Sequence, residues 1–371
     1  MKKIKLVYVC ECLGGGVRKH LVDLLNHLDK QKYEIHVIYS ENRMDAVFAQ
    51  SITRLNKVSF HIVPQMEREI NIAKDFVSFK KIVKLFKKIG PDVVHCHSSK
   101  AGVLGRVASR YCGIDTVYYT PHGYIIQNPK ISNKKRRLFS LIEKVLAKQF
   151  TTKVIHVSKG EEEVALKNNI LNKEKSLVIY NGMDIPQTKE NKINENFNII
   201  TVARMDEQKN PWEAIKIIEA LVKKYPEIKY TYVGDGEYYQ EISDYIKDNG
   251  LDRNIKLQGF MDNPINLLEK ADLFLLTSLY EGLPYALIES LACGVPLLAT
   301  DVTGNNELVI NNLNGFLYKQ SDLEDGRYKL ELLINNKEQL LKMSDNAFQY
   351  FLSHFTFDKM MKSYDDLYTQ L

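Results

Sequence analysis

The residues whose types and spacing could do chemistry cluster at a few places in this 371-residue chain. Glu281 and Glu289 stand eight positions apart, the first just before Gly282-Leu283-Pro284 and the second inside the helical pattern that follows. Carboxylates can take up or release a proton, or accept hydrogen bonds from a ligand. Glu289 shares its predicted helix with Ala286, Leu287, Ile288, Leu291 and Ala292, and a carboxylate among apolar side chains is costly without a donor. Arg204 and Lys209 precede a helix opened by Pro211. Cations ahead of a helix N-terminus oppose its dipole by about 0.3–1 kcal/mol each when exposed; a bound phosphate reverses that sign. Gly14-Gly15-Gly16 joins a predicted strand to a predicted helix. That layout cradles an anion, although the same residues also make a plain tight turn. His122 and Gly123 follow a predicted strand at its carboxyl end, a position where α/β folds place chemistry. His95-Cys96-His97 has the look of a metal triplet. In a strand, however, Cys96 faces away from the two histidines, so no metal is expected.

These residues need a scaffold, and the chain supplies an α/β rhythm twice. Apolar runs at 4–10, 34–39, 92–95, 116–120, 154–158 and 176–180 read as strands, as do 198–203, 230–233, 254–258, 271–276 and 295–300. Helical periodicity fills many of the gaps, most clearly at 72–89 and 133–150. The pattern predicts two Rossmann-like domains of class α/β, 1–183 and 184–355, facing each other across a cleft, with a linker at about 182–196 and a terminal helix over about 356–371.

A hydrophobic content of 44% and a charged content of 26% are those of a globular protein rather than a disordered or fibrous one. No apolar run approaches the roughly 18 residues that span a bilayer. The opening segment imitates a signal peptide until Glu11 interrupts it, and the five cysteines form no C-x-x-C pair, so a cytoplasmic protein with free thiols is expected. Charge is uneven: residues 1–185 carry +15 and the remainder −10. Such a basic half suits a nucleic acid, a phosphorylated substrate or an anionic membrane, or is a solvated surface. The helices at 72–89 and 133–150 interleave Lys and Arg with Phe, Leu and Ile, as helices lying on membranes do, and as helices packed on a sheet also do.

In order along the chain, Gly14-Gly15-Gly16, Asp92 to His97, His122-Gly123, Val157-Ser158-Lys159, Asn181-Gly182-Met183-Asp184, Arg204 with Lys209, Gly234-Asp235-Gly236, Gly259-Phe260 and the E-x7-E element from Glu281 to Glu289 resemble a retaining glycosyltransferase of the GT-B fold, in glycosyltransferase family 4, similar to bacterial capsule and exopolysaccharide enzymes. The resemblance implies that Arg204 and Lys209 clamp the diphosphate of a nucleotide-sugar donor, with UDP as the base-bearing part. It implies that Gly282 and Leu283 offer backbone N–H groups to the distal phosphate and sugar. Glu289 would take the ribose hydroxyls, Glu281 the donor sugar, and the backbone around Phe260 the base, with Gly234 nearby. Gly15 and Gly16 would close on the diphosphate from the first domain, and His122 would touch the donor sugar. It also implies a glycan or undecaprenyl-diphosphate-linked acceptor at the inner face of the cytoplasmic membrane, no nucleic acid, and no metal or other cofactor. The terminal helix would cross back to the first domain. The family often has paired glycines where this chain has Thr303-Gly304. A UDP-N-acetylglucosamine 2-epimerase-like enzyme on the same fold, and a non-catalytic nucleotide-sugar- or nucleic-acid-binding protein, are the alternatives.

Overall fold

The computed structural model describes residues 2–128, 131–186 and 196–370. Most of the expected linker, 187–195, lies outside the described residues. The chain divides into two units, Met1–Asn181 with Met360–Leu371, and Gly182–Lys359.

The first unit is a seven-stranded parallel sheet in the order β3-β2-β1-β4-β5-β6-β7. Its strands are β1 (Ile4–Cys10), β2 (Tyr33–Tyr39), β3 (Val58–Ile62), β4 (Val93–His97), β5 (Thr116–Thr120), β6 (Lys153–His156) and β7 (Ser176–Val178). The second is six-stranded, β10-β9-β8-β11-β12-β13, built from β8 (Phe197–Val202), β9 (Ile228–Val233), β10 (Ile255–Gly259), β11 (Leu273–Leu276), β12 (Leu297–Thr300) and β13 (Gly315–Tyr318). Leu6 to Cys10 and Leu273 to Leu276 are buried throughout, as strands covered by helices on both faces must be. In each sheet the strand order reverses once, between β1 and β4 and between β8 and β11. Ligands of open α/β sheets bind beyond the carboxyl ends of the strands at that switch. The fold therefore singles out the loops after β1 and β4, and those after β8 and β11.

The terminal helix, Phe357–Tyr368, behaves as expected: from Met360 onward it belongs to the first unit. Tyr368 accepts or donates at Tyr8 (3.1 Å) and at His95 Nδ1 (2.6 Å), and Tyr364 lies 3.2 Å from His20 Nε2. Pro284 is the N-cap of the Tyr285–Ala292 helix, its extended ψ leading the chain in before helical bonding starts.

Candidate active site

In the second unit the β8 loop carries Arg204 and Lys209 and the β11 loop carries Glu281. Backbone and side-chain bonds join the two loops. Leu279 N–H donates to the Gln208 carbonyl (2.8 Å), Gln208 Nε2 to the Tyr280 carbonyl (3.0 Å), and the Thr277 hydroxyl to the Asn210 carbonyl (2.8 Å). Lys209 Nζ then meets Glu281 Oε1 at 2.5 Å, with only 16% and 6% of the two side chains exposed. Arg204 is 60% exposed and pairs with Asp206 at 2.9 Å. Both cations thus have carboxylate neighbours inside the chain. The expected conflict between them and the helix dipole is corrected on this point: internal anions offset the charge, and Glu213 sits in the first turn of the Pro211–Val222 helix. Burial pushes the Glu213 carboxyl up, against the bonds it accepts from Tyr318 and Asn210.

Glycines set how closely the neighbouring loops approach. A Cβ on Gly234 would lie 1.7 Å from the Ala203 carbonyl oxygen, and one on Gly236 2.6 Å from that of Met205. Any side chain there would drive the β9 loop off the Arg204 loop. Gly304 has φ +85° and would place a Cβ 2.4 Å from the Gly282 carbonyl oxygen. The one glycine in Thr303-Gly304 is therefore the one that lets the β12 loop rest against Gly282. Gly282 is half-buried and Leu283 buried, immediately ahead of the Pro284 cap. Phe260 is exposed beyond the carboxyl end of β10. Glu289 is half-buried, as is Ala286 three residues earlier, so both lie on the less buried face of their helix.

In the first unit Gly15 and Gly16 are exposed at the start of the Gly15–His27 helix, and Gly15 has φ +58°, a conformation that favours glycine. His122 also has a positive φ, +57°. Glu161, fully buried, holds the peptide that follows: its carboxylate accepts from Gly123 N–H (2.5 Å) and from Val157 N–H (2.9 Å). His97 and His95 project to one side of β4, with ring centroids 4.1 Å apart, and Cys96 to the other, as expected. His97 Nδ1 lies 2.9 Å from His122 Nε2, and His20 packs edge-on to His122 with centroids 4.8 Å apart. Burial, reinforced for His95, His97 and His122 by the neighbouring histidines, keeps all four rings neutral; His20 falls to about 4 and the other three well below their ordinary value.

His20, His97 and His122 could each offer a nitrogen to a metal, and those atoms lie within 4.8 Å of one another. As placed, hydrogen bonds occupy both nitrogens of His20 and one nitrogen each of His97 and His122. Asn181 Oδ1 (3.0 Å) and Tyr364 OH (3.2 Å) hold the two nitrogens of His20, and His97 and His122 share a proton directly. Sequence reasoning named His122 but missed His20 and Glu161 beside it, and Tyr364 and Tyr368, which bond His20 and His95. Glu161 had a legible signal: Ser158 and Glu161 form an S-x-x-E capping pattern, and the Ser158 hydroxyl does accept from Glu161 N–H at 3.0 Å. His20 had none, since it is one buried position among several on an amphipathic helix.

Comparison with known proteins bears on both halves. The family described as Glycosyltransferase Family 4 matches residues 14–187, and that described as Glycosyl transferases group 1 matches residues 184–350. The chain is 29% identical to an Escherichia coli UDP-Gal:alpha-D-GlcNAc-diphosphoundecaprenol alpha-1,3-galactosyltransferase, covering 100% of this chain and 97% of that protein. It is 30% identical to the capsular polysaccharide biosynthesis glycosyltransferase CapH of Staphylococcus aureus, covering 82% of this chain and 83% of that one. HepE of Anabaena, solved in complex with UDP-glucose, superposes with a TM-score of 0.82 at 21% identity over 99% of this chain and 100% of that one. That last likeness shows the fold, which is GT-B: two Rossmann-like units of seven and six parallel strands. Taken with the matches to each half, the CapH relative places the chain among the group 1, family 4 glycosyltransferases.

Proposed function

We propose that this glycosyltransferase moves a hexosyl or N-acetylhexosaminyl group from a UDP-sugar to a lipid-diphosphate-linked or glycan acceptor in cell-surface polysaccharide synthesis, with retention of anomeric configuration. The observation that carries the reading is the Lys209–Glu281 contact at the switch between β8 and β11. It joins a cation suited to phosphate and a carboxylate suited to sugar hydroxyls within one hydrogen-bond length, as adjacent parts of a sugar diphosphate require. The E. coli relative's UDP-galactose donor and diphosphoundecaprenol acceptor support the choice of substrates.

In this reading Arg204 and Lys209 bind the diphosphate, the backbone of Gly282 and Leu283 the distal phosphate and sugar, and Glu289 the ribose. Gly234 holds the loops in register, and Phe260 lies beside the base. Glu281 holds the donor sugar and steadies positive charge growing at its anomeric carbon. On the first unit, Gly15 and Gly16 are assigned to phosphate binding and His122 to sugar binding. The anomeric carbon–oxygen bond breaks, its electron pair going to the distal phosphate. The acceptor oxygen bonds to that carbon from the same face, and its proton passes to a phosphate oxygen. The side-chain cations offset the leaving charge, so no metal or other cofactor is invoked.

A peripheral position on an anionic cytoplasmic membrane face completes the proposal. The Ile72–Ile89 and Asn133–Phe150 helices both pack on the Ser99–Tyr111 helix. They leave Ile72, Phe76, Leu138, Leu141 and Val145 exposed among exposed lysines, as an interfacial helix does. Among the described residues no helix is long and apolar enough to cross a membrane. A thermal-shift panel of UDP, GDP, ADP and their sugars tests the donor. UDP and a UDP-sugar raise the transition most, because a ligand of the folded state stabilises it by mass action; a larger rise with GDP or ADP refutes UDP.

A further inference from the structure

We infer that His97 is a positioning residue that fixes His122 in the tautomer bearing its proton on Nδ1, so that His122 acts as a hydrogen-bond donor toward substrate oxygen and not as a base. The inference rests on the proposed role of His122 at the sugar and deepens it.

The geometry leaves two ways to arrange the protons. His97 Nδ1 and His122 Nε2 are 2.9 Å apart, so one of them donates to the other. Both rings are neutral, and a neutral imidazole carries a single N–H. If His122 donated from Nε2, His97 would have to carry its own proton on Nε2. That atom is buried and has no hydrogen-bond partner among the described residues. A buried N–H left without an acceptor costs the full desolvation of that donor. If instead His97 donates from Nδ1, its Nε2 is a bare lone pair and no donor is stranded. The proton of His122 must then sit on Nδ1, and its Nε2 is consumed as an acceptor.

The surroundings hold this arrangement in place. Tyr8 packs on His97 with ring centroids 5.5 Å apart, His20 with centroids 5.5 Å apart, and His95 with 4.1 Å. Thr120 Oγ1 and Tyr368 OH occupy the two nitrogens of His95, at 2.8 Å and 2.6 Å, so His95 is not available to His97. Glu161 pins the backbone directly after His122 through Gly123 N–H. The ring of His122 thus has a fixed anchor at Nε2, and Nδ1–H is the group it can offer to a ligand. Donation to a sugar hydroxyl or phosphate oxygen follows, and proton abstraction by this ring does not. That division agrees with a reaction in which the leaving phosphate takes the acceptor's proton.

The test is a long-range proton–nitrogen correlation spectrum of the full chain labelled with nitrogen-15 histidine at neutral pH, with His122 assigned from His122→Gln. The expected result is a pyrrole-type Nδ1 and a pyridine-type Nε2 for His122; the reverse pattern overturns the inference. Kinetics supply a second readout. His97→Phe lowers kcat by roughly 10-fold or more, part of the roughly 100- to 1,000-fold that removing a preorganised donor outright costs, with KM for the UDP-sugar little changed. His97→Asn, whose amide N–H falls near the position of Nδ1–H, restores most of that loss. Equal losses in His97→Phe and His97→Asn, with both folded, refute the donor role of His97. If His122→Gln transfers sugar at the wild-type rate while the tautomer is as expected, the inference about proton placement stands and the catalytic reading of His122 fails.

Discussion

Replacing Glu281 by Gln separates two functions that the structure joins. In the resting protein Lys209 and Glu281 satisfy each other at 2.5 Å, with 16% and 6% of their side chains exposed. Removing one partner of a fully buried pair costs about 3–5 kcal/mol. The residual exposure of Lys209 and the amide of Gln, which keeps shape and one acceptor, bring the expectation to about 2 kcal/mol. For a domain of this size that corresponds to a fall in Tm of roughly 4–8 °C. Binding moves differently. Glu281→Gln leaves Lys209 without its carboxylate, so UDP affinity holds or tightens by up to about 10-fold, on the order of 1.4 kcal/mol. Turnover with a UDP-sugar falls at least about 100-fold, the scale of losing one preorganised electrostatic group. Lys209→Met lowers both stability and UDP affinity. Calorimetric titration with UDP, thermal melts and steady-state transfer on the two single variants and the double variant supply all the terms. The double variant is expected to be less destabilised than the sum of the singles, because each single strands the other's charge. Strict additivity refutes the coupling. Loss of UDP binding in a folded Glu281→Gln protein, as deep as in Lys209→Met, refutes the division of labour.

Acid destabilises the first unit through its buried histidines. His20 and His156 are lowered to about 4 by burial, so the neutral form folds, and the stability is full above about 6.5 and lost as pH falls toward 4. Urea unfolding at pH 5 shows a loss of about 2 kcal/mol per histidine relative to pH 7; a flat profile contradicts that burial. Glu143→Ala strands Arg106, whose fully buried guanidinium bonds Glu143 at 2.8 Å. It costs about 3–5 kcal/mol, whereas the pair Arg106→Met with Glu143→Leu is far less damaging; chemical denaturation distinguishes them, and equal losses refute the stranded charge. Changing Phe76, Leu138 and Leu141 together to Ser leaves folding intact and reduces co-sedimentation with phosphatidylglycerol vesicles; unchanged sedimentation removes the membrane surface from the proposal.

What could be read ahead of the structure follows from how strongly each feature is written in one stretch. Central strands such as Leu6 to Cys10 and Leu273 to Leu276 are unbroken apolar runs, and the helices at Ile72–Ile89 and Asn133–Phe150 carry full amphipathic periodicity. The Ser99–Tyr111 helix was not legible, because Gly102 and Gly105 depress helix propensity. The sheet demands them: a Cβ on either would lie 2.4 Å from Tyr119 or Cys96. β3, at the sheet edge, is half-exposed and shows no clean alternation. In the site, Arg204, Lys209 and Glu281 could be named from local motifs, but their charge balance could not. The Lys209–Glu281 contact depends on how two loops are bonded together, and the Arg204–Asp206 pair on how the β8 loop turns. That Glu289 and Ala286 form the less buried face of their helix is set by what packs on the other faces, which the local pattern does not show. The histidine cluster was invisible for a third reason: His20, His97, His122 and Tyr364 come from four separate elements, brought together only by the sheet order and the return of the terminal helix.

The central claim is acceptor-dependent transfer from a UDP-sugar with retention. It is tested most directly by incubating the purified chain with a set of α-linked UDP-hexoses and UDP-N-acetylhexosamines and a synthetic lipid-diphosphate-linked sugar acceptor. UDP release and the anomeric coupling of the isolated product are then followed by NMR. The expected result is UDP release that requires the acceptor, an α-linked product from one of the α-linked donors, and loss of that product in Glu281→Gln. A β-linked product contradicts retention, and the same turnover in the wild type and in Glu281→Gln contradicts the site.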